Sequence, residues 1–268
     1  MLRRITAIAA LLILTACGGQ TTPTTVPTTA GGNQTIATAT PAVTSAYAYD
    51  TSAAVTILEL RNEGGFVTPL YNKLLAVPQF RLYGNGELIY QYYDADGKMF
   101  WQQTTLSENQ IKQLLSDVLG AEKDFCLDTS LGDPEPMISD VNVTTLTVNL
   151  TDGSCSAQAY AAFSEQRSGL NADGQRRFVQ FRKALAAVET LMKAETKPYQ
   201  AQGVTIYLEP AAAEELATAA EWTFKAELRE GNVVTDSEAA AILEFAGQPT
   251  LVKAGDKAFR VLAVPILP

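Results

Sequence analysis

Twenty-nine aspartates and glutamates and not one histidine bound the chemistry open to this chain. Without imidazole, Ser-His-Asp hydrolases, Cys-His proteases, His-containing zinc sites and haem on a proximal histidine are excluded. Carboxylates can still act in pairs, flanking a glycosidic bond about 5 to 10 Å apart, or gather around calcium. Nothing in the sequence singles out such a pair, so no catalytic residue is assigned. Asp94-Ala95-Asp96-Gly97 opens like a calcium loop, but Phe100-Trp101-Gln102-Gln103 stands where its glutamate should follow. A hairpin turn wants Asp and Gly at the same places, so a turn is predicted and no metal site. Gly84-Asn85-Gly86 is no dinucleotide fingerprint, because no third glycine arrives and a strand follows. The G-x-x-x-x-G-K-[ST], G-x-S-x-G and S-x-x-K patterns are absent, and no cofactor is expected.

The three cysteines carry the remaining chemistry. Cys17 follows the basic start Met1-Leu2-Arg3-Arg4 and an apolar run from Ile5 to Ala16, the layout of an export signal. Those twelve residues are too few to span a bilayer, which takes about twenty to cross a core of about 30 Å. Leu14-Thr15-Ala16-Cys17 resembles the bacterial lipobox, whose cysteine is diacylated and becomes the first residue. The expectation is a signal peptide over 1–16, lipidation of Cys17, and a membrane partner held through that lipid, each buried methylene contributing about 0.8 kcal/mol. The protein would sit on the cell membrane, facing the extracytoplasmic side. Cys126 and Cys155 are then an even pair in an oxidising compartment, and a disulfide is the default. A reactive thiol or a metal ligand are the alternatives, although two cysteines without histidine make a poor zinc set. Closing that loop of about thirty residues would stabilise by roughly 3.5 kcal/mol in the chain-entropy model.

Composition narrows the partners. Residues 17–50 form a Thr/Pro/Ala-rich tract whose first charge is Asp50, a composition that buries too little apolar surface to fold. As a flexible tether it reaches roughly 30 Å. Loss of residues 1–16 removes Arg3 and Arg4, leaving 18 basic against 29 acidic residues and a net charge of −11. That sign argues against nucleic acid as a partner, and against adhesion to anionic lipid through basic clusters.

The remainder, 51–268, is long enough for one large domain, and a sub-domain break near 209–221 is also compatible with the sequence. Strands are predicted at 54–61, with Val55, Ile57 and Glu59 sharing a face, at 80–83 and 87–93 across Gly84-Asn85-Gly86, and at 98–104. Ser107 with Gln110 forms a capping box that opens a helix over 108–119, striped by Ile111, Leu114, Leu115, Val118 and Leu119 and stopped by Gly120. Strands return at 141–150 and 155–161, and a second helix is predicted over 173–194. A strand at 204–208, a short strand at 231–234, a Thr235/Glu238 capping box leading a helix to about 246, and strands at 250–253 and 257–265 complete the reading. Strand-strand-strand-helix units of this kind give an α+β fold, an antiparallel sheet with hairpins and two to three packed helices.

One segment departs from the usual polarity of loops. In Gly64-Gly65-Phe66-Val67-Thr68-Pro69-Leu70-Tyr71, apolar and aromatic residues follow two glycines outside any periodic element. Phe66, Pro69, Leu70 and Tyr71 either fold back as a lid over the core or project as anchors for a partner, as exposed apolar patches do. Glu63-Gly64-Gly65-Phe66, the hairpin Phe80 to Glu87, Leu106-Ser107 and the terminal Phe259-Arg260-Val261…Pro265-Ile266-Leu267-Pro268 resemble an uncharacterised family of Gram-positive and filamentous-phototroph surface lipoproteins. The resemblance implies surface anchoring and carries over no activity and no functional residue. Two functions follow from the sequence: a non-enzymatic module binding an unknown protein or cell-envelope component, and a His-independent, carboxylate-based hydrolase of envelope polysaccharide.

Overall fold

The computed structural model describes residues 47–120, 123, 131–235 and 237–268; the expected signal peptide, Cys17 and Cys126 lie outside them. The chain packs from Tyr47 onward, earlier than the tether boundary at residue 50 read from composition. Tyr47 is buried and its hydroxyl donates to the carbonyl of Gly120. Gly84 lies so close to the passing chain that a Cβ there would stand 2.0 Å from the carbonyl oxygen of Asp50, so a glycine is required.

β1, Thr56–Gly64, leads to the short helix α1, Pro69–Leu75. A meander follows: β2, Phe80–Tyr83, β3, Glu87–Tyr93, and β4, Met99–Thr105. α2, Glu108–Leu119, starts at the predicted capping box, with the amide of Ser107 donating to Gln110 Oε1 at 2.8 Å and the amide of Gln110 to Ser107 Oγ at 3.4 Å. After the two-residue strand β5, Asp133–Pro134, comes a hairpin of β6, Asn142–Leu150, and β7, Gly153–Tyr160. β8, Arg167–Ser168, precedes α3, Ala172–Met192, which buries Phe178, Phe181, Ala184, Leu185 and Val188. β9, Lys197–Pro198, and β10, Val204–Pro210, are followed by a 3-10 helix, Ala213–Thr218, and β11, Ala220–Glu221. β12, Asn232–Val234, α4, Ala239–Ala246, β13, Thr250–Ala254, and β14, Lys257–Pro265, end the domain.

The strands form a seven-stranded antiparallel sheet in the order β7-β6-β1-β2-β3-β4-β9, and a five-stranded sheet in the order β11-β13-β14-β10-β12, parallel only between β11 and β13. β5 and β8 make a separate two-stranded ladder. The fold is therefore α+β, built on antiparallel sheets. Residues 209–221 stay with the second sheet throughout, because Glu209 and Pro210 pair with β14 and Ala220 and Glu221 with β13. The chain passes from one sheet to the other over 199–203 instead. Among the described residues no helix is long and apolar enough to cross a membrane.

Two cores share one wall. In the first, Leu58, Leu60, Phe80, Leu82, Leu88 and Tyr90 from the large sheet meet the buried faces of α2 and α3. In the second, Ile89, Met99 and Trp101, from the opposite face of the same sheet, meet α1, α4 and the second sheet. β3 is thus buried on both faces, which is why its sequence runs apolar without a clean alternation. β1 departs from the predicted facing: Leu58 and Leu60 enter the core, while Glu59 turns the other way to pair with Arg61 and Arg81. A register irregularity between Thr56 and Leu58 lets Ile57 be buried beside Leu58, breaking the period of two on which the sequence reading relied. α4 begins four residues beyond Thr235, and the carboxylate of Glu238 accepts the amides of Lys225 and Ala226, both at 3.0 Å, in place of the predicted capping box.

Candidate functional site

The aromatic segment after β1 divides between the two roles open to it. Gly64 and Gly65 both have positive φ, at 76° and 82°, and turn the chain sharply so that the amide of Phe66 donates to Asp140. The loop is shorter than expected. Thr68 Oγ1 accepts the amide of Tyr71, and Pro69 at the first helical position starts α1, so Pro69, Leu70 and Tyr71 are helical. Leu70 and Leu74, each 4 % exposed, are the lid on the second core. Phe66 is 91 % exposed, Pro69 is exposed, and Tyr71 is 45 % exposed. Tyr71 lies near Tyr93, whose phenol is pushed up by burial and further by Tyr71.

Cys155, on β7 opposite Val148, is half-buried and packs against the first core. The Asp94–Gly97 segment is a turn: Asp94 Oδ1 accepts the amides of Asp96 at 3.0 Å and Lys98 at 2.8 Å. Among the described residues no group of three or more acidic or cysteine side chains is placed to hold a metal ion.

The concave site was not marked by any motif, and it arises where the large sheet runs out of strand. β9 pairs only with Gln102 and Gln103. Further along β4 the carbonyl of Trp101 accepts the amide of Tyr199 at 2.9 Å, and the amide of Met99 donates to Gln248 Oε1 at 3.1 Å. Beyond that the strand edge faces α4 across a cleft of about 530 Å³. Met99, Trp101, Gln102 and Tyr199 in its lining are buried, and Tyr92 and Phe100 are half-buried. Ala240, Ala241 and Leu243 of α4 lie on the other side.

The segment leaving α3 is pinned to β4, which makes the cleft a fixed shape. Tyr90 donates its hydroxyl to the carbonyl of Ala194 at 2.6 Å. The amide of Thr196 donates to Gln102 Oε1 at 3.1 Å, and its hydroxyl to the carbonyl of Gln103 at 3.0 Å. Burial pushes the Tyr199 phenol up to about 12, with Tyr83 and Glu87 adding to the effect. Trp101 is 4 % exposed and, among the described residues, its Nε1 has no acceptor; neither has Nε2 of Gln91, its cross-strand partner. Asp94, Glu195 and Glu244 supply the charge, and no Lys or Arg lines the cleft. Lys98 stands beside it, with Nζ 4.7 Å from the centre of the Phe100 ring.

Among the described residues none of the cleft's carboxylates is buried. A glycosidase sets its acid in a dry cleft against the bond it cleaves. Glu195 and Glu244 are exposed, and Asp94 is occupied by its turn. A second cleft of about 450 Å³ lies between β1, β6 and α3, and several of its polar groups are already paired: Thr144 Oγ1 donates to Asn62 Oδ1, Asn62 Nδ2 donates to Gln79 Oε1, and Arg182 pairs with Glu165 outside the lining. The sequence did mark Tyr92 and the run Met99 to Gln103 as strand residues. What it did not carry is that β9 stops after two residues and that α4, more than a hundred positions later, closes the other side. No family model matches the chain, and no curated protein matches it either.

Proposed function

We propose that this protein is a lipid-anchored, extracytoplasmic binding module of the cell envelope, and that its ligand site is the cleft between β4 and α4. The observation that carries the reading is the cleft itself. Its volume falls within the range of small-ligand sites, about 300 to 1,000 Å³, and it combines buried aromatic surface with a few polar groups, as such sites do. The lipobox at Cys17, the uncharged tract after it and the acidic domain support anchoring by lipid and a partner other than nucleic acid. A Cys126–Cys155 disulfide belongs to the same proposal, supported by the even pair of cysteines that remains once Cys17 carries lipid.

A cleft-blocked variant tests the site. Ala241 is exposed and lines the cleft, so Ala241→Trp should fill it without disturbing either core. A bound ligand raises the melting temperature by mass action, contributing about 2.7 kcal/mol at a hundred times its Kd. Fractionated soluble envelope material should contain a component that raises the melting temperature of the wild type and leaves Ala241→Trp unchanged. If every stabilising fraction acts equally on both proteins, the cleft is not the site.

A further inference from the structure

The cleft also specifies the charge of what it binds. Glu195 and Glu244 are exposed on its lining and make no ion pair among the described residues, and Asp94 adds a third carboxylate. Among the described residues no Lys or Arg lines the cleft itself; Lys98 stands beside it, on the Phe100 ring and next to Glu244 in the adjoining hollow, and offsets one of the three. An anion entering here would meet like charge on both sides, from α4 and from the segment after α3. Aromatic faces add a second attraction for cations, because the ring quadrupole presents negative charge above its plane. Tyr92, Phe100, Trp101 and Tyr199 supply such rings, and the protein already places one cation against them, Lys98 on Phe100. A third observation concerns hydrogen bonding. Trp101 is more than nine-tenths buried in the cleft lining, and its indole N–H, itself buried, lacks an acceptor among the described residues. A ligand oxygen that reached it would satisfy a donor the fold leaves open.

Resting on the cleft being the ligand site, we infer that its occupant is a small organic ammonium ion carrying an oxygen acceptor. The cationic head lies by the carboxylates of Glu195 and Glu244, and its alkyl groups lie against the ring of Tyr92. Phosphorylated and carboxylated ligands without an amine are disfavoured by the same charges. The protein's overall excess of acidic residues works in the same direction at long range.

Choline, its uncharged carbon isostere dimethylbutanol, and the anion dimethylbutyrate form a matched series for calorimetric titration of the full chain. Choline should bind saturably, and at least about fivefold more tightly than dimethylbutanol, since an exposed ion pair contributes up to about 1 kcal/mol. Dimethylbutyrate should give no saturable heat. The double variant Glu195→Gln, Glu244→Gln changes two exposed side chains and should fold normally, yet lose about fivefold or more in choline affinity. Raising the salt concentration should erode choline binding to the wild type and leave dimethylbutanol unaffected. Equal binding of choline and dimethylbutanol would keep the cleft as the ligand site and overturn its preference for cations. Absence of saturable choline binding would also overturn the preference, while the comparison with Ala241→Trp decides separately whether the cleft is a site at all. Choline affinity unchanged in the double variant would place the cation elsewhere and overturn the assignment.

Discussion

Tyr199 shows how one side chain can report on the packing around it. Its phenol is buried against the second core, and its pKa rises from 10.0 to about 12. Below pH 10 the tyrosine is protonated whether the chain is folded or not, and it adds no pH dependence. Between 10.0 and about 12 the unfolded chain has released the proton that folded Tyr199 still holds, so stability falls as pH rises through this window. Tyr83 and Tyr90 shift in the same direction, also chiefly through burial. Urea midpoints measured at about pH 9 and about pH 11.5 should therefore drop steeply in the wild type and less in Tyr199→Phe. Identical drops would mean that the ring is better solvated than its position implies. Arg167 is another residue defined by long-range contacts: its guanidinium donates to the carbonyls of Tyr160 and Ala161 at 2.7 and 2.8 Å and stacks on Phe178. Neither role was legible in the sequence, because the partners are brought together by the sheet. The Ser107–Gln110 cap was legible, because its partners are three positions apart.

At the scale of elements, what could be read was whatever carried its own period or its own stop signal. α2 matches its predicted bounds and all five predicted core positions. α3 also forms as predicted, running Ala172–Met192 against a predicted 173–194. β1 runs over Thr56–Gly64 against a predicted 54–61, and Ile57 enters the core as its predicted face allows, but Leu58 and Leu60 join it and Glu59 does not, since an irregular register cannot be inferred from alternation alone. α1 was missed because seven residues are too few for a helical stripe to stand out. That short helix separates lid from anchor, and mutations should do the same. Leu70→Ala should cost about 2 to 5 kcal/mol, the range for truncating a buried aliphatic side chain. Phe66→Ala with Tyr71→Ala should cost no more than about 1 kcal/mol, since the Phe66 ring is largely in water and Tyr71 is nearly half exposed. Denaturant titration of the two variants checks this directly. A double variant as unstable as Leu70→Ala would make the exposed rings structural and remove them as anchors for a partner.

Across the whole molecule, the α+β class and the meander leading to a helix followed from the order of elements, whereas the two sheets and the cleft between their elements did not. Strand pairing joins residues as far apart as Gln102 and Pro198, and no local pattern announces it. The proposed anchoring is tested on the whole chain expressed in a bacterial host. Cys17→Ser should abolish labelling by radioactive fatty acid and shift the protein from the membrane to the soluble fraction. In the wild type, alkylation without reductant followed by mass spectrometry should leave both Cys126 and Cys155 unmodified. A Cys17→Ser protein that is still acylated, or native protein alkylated at both other cysteines, would refute the corresponding half of the proposal.

β3 gives Leu88 and Tyr90 to one core and Ile89 to the other, so neither core is complete without it. The two halves therefore cannot be parted without opening a core. A recombination that exchanged everything after residue 203 would leave Ile89, Met99 and Trp101 facing water, and a graft of the second sheet elsewhere would arrive without the wall it packs on. A chain cut at this point would yield two pieces, neither able to keep its core dry.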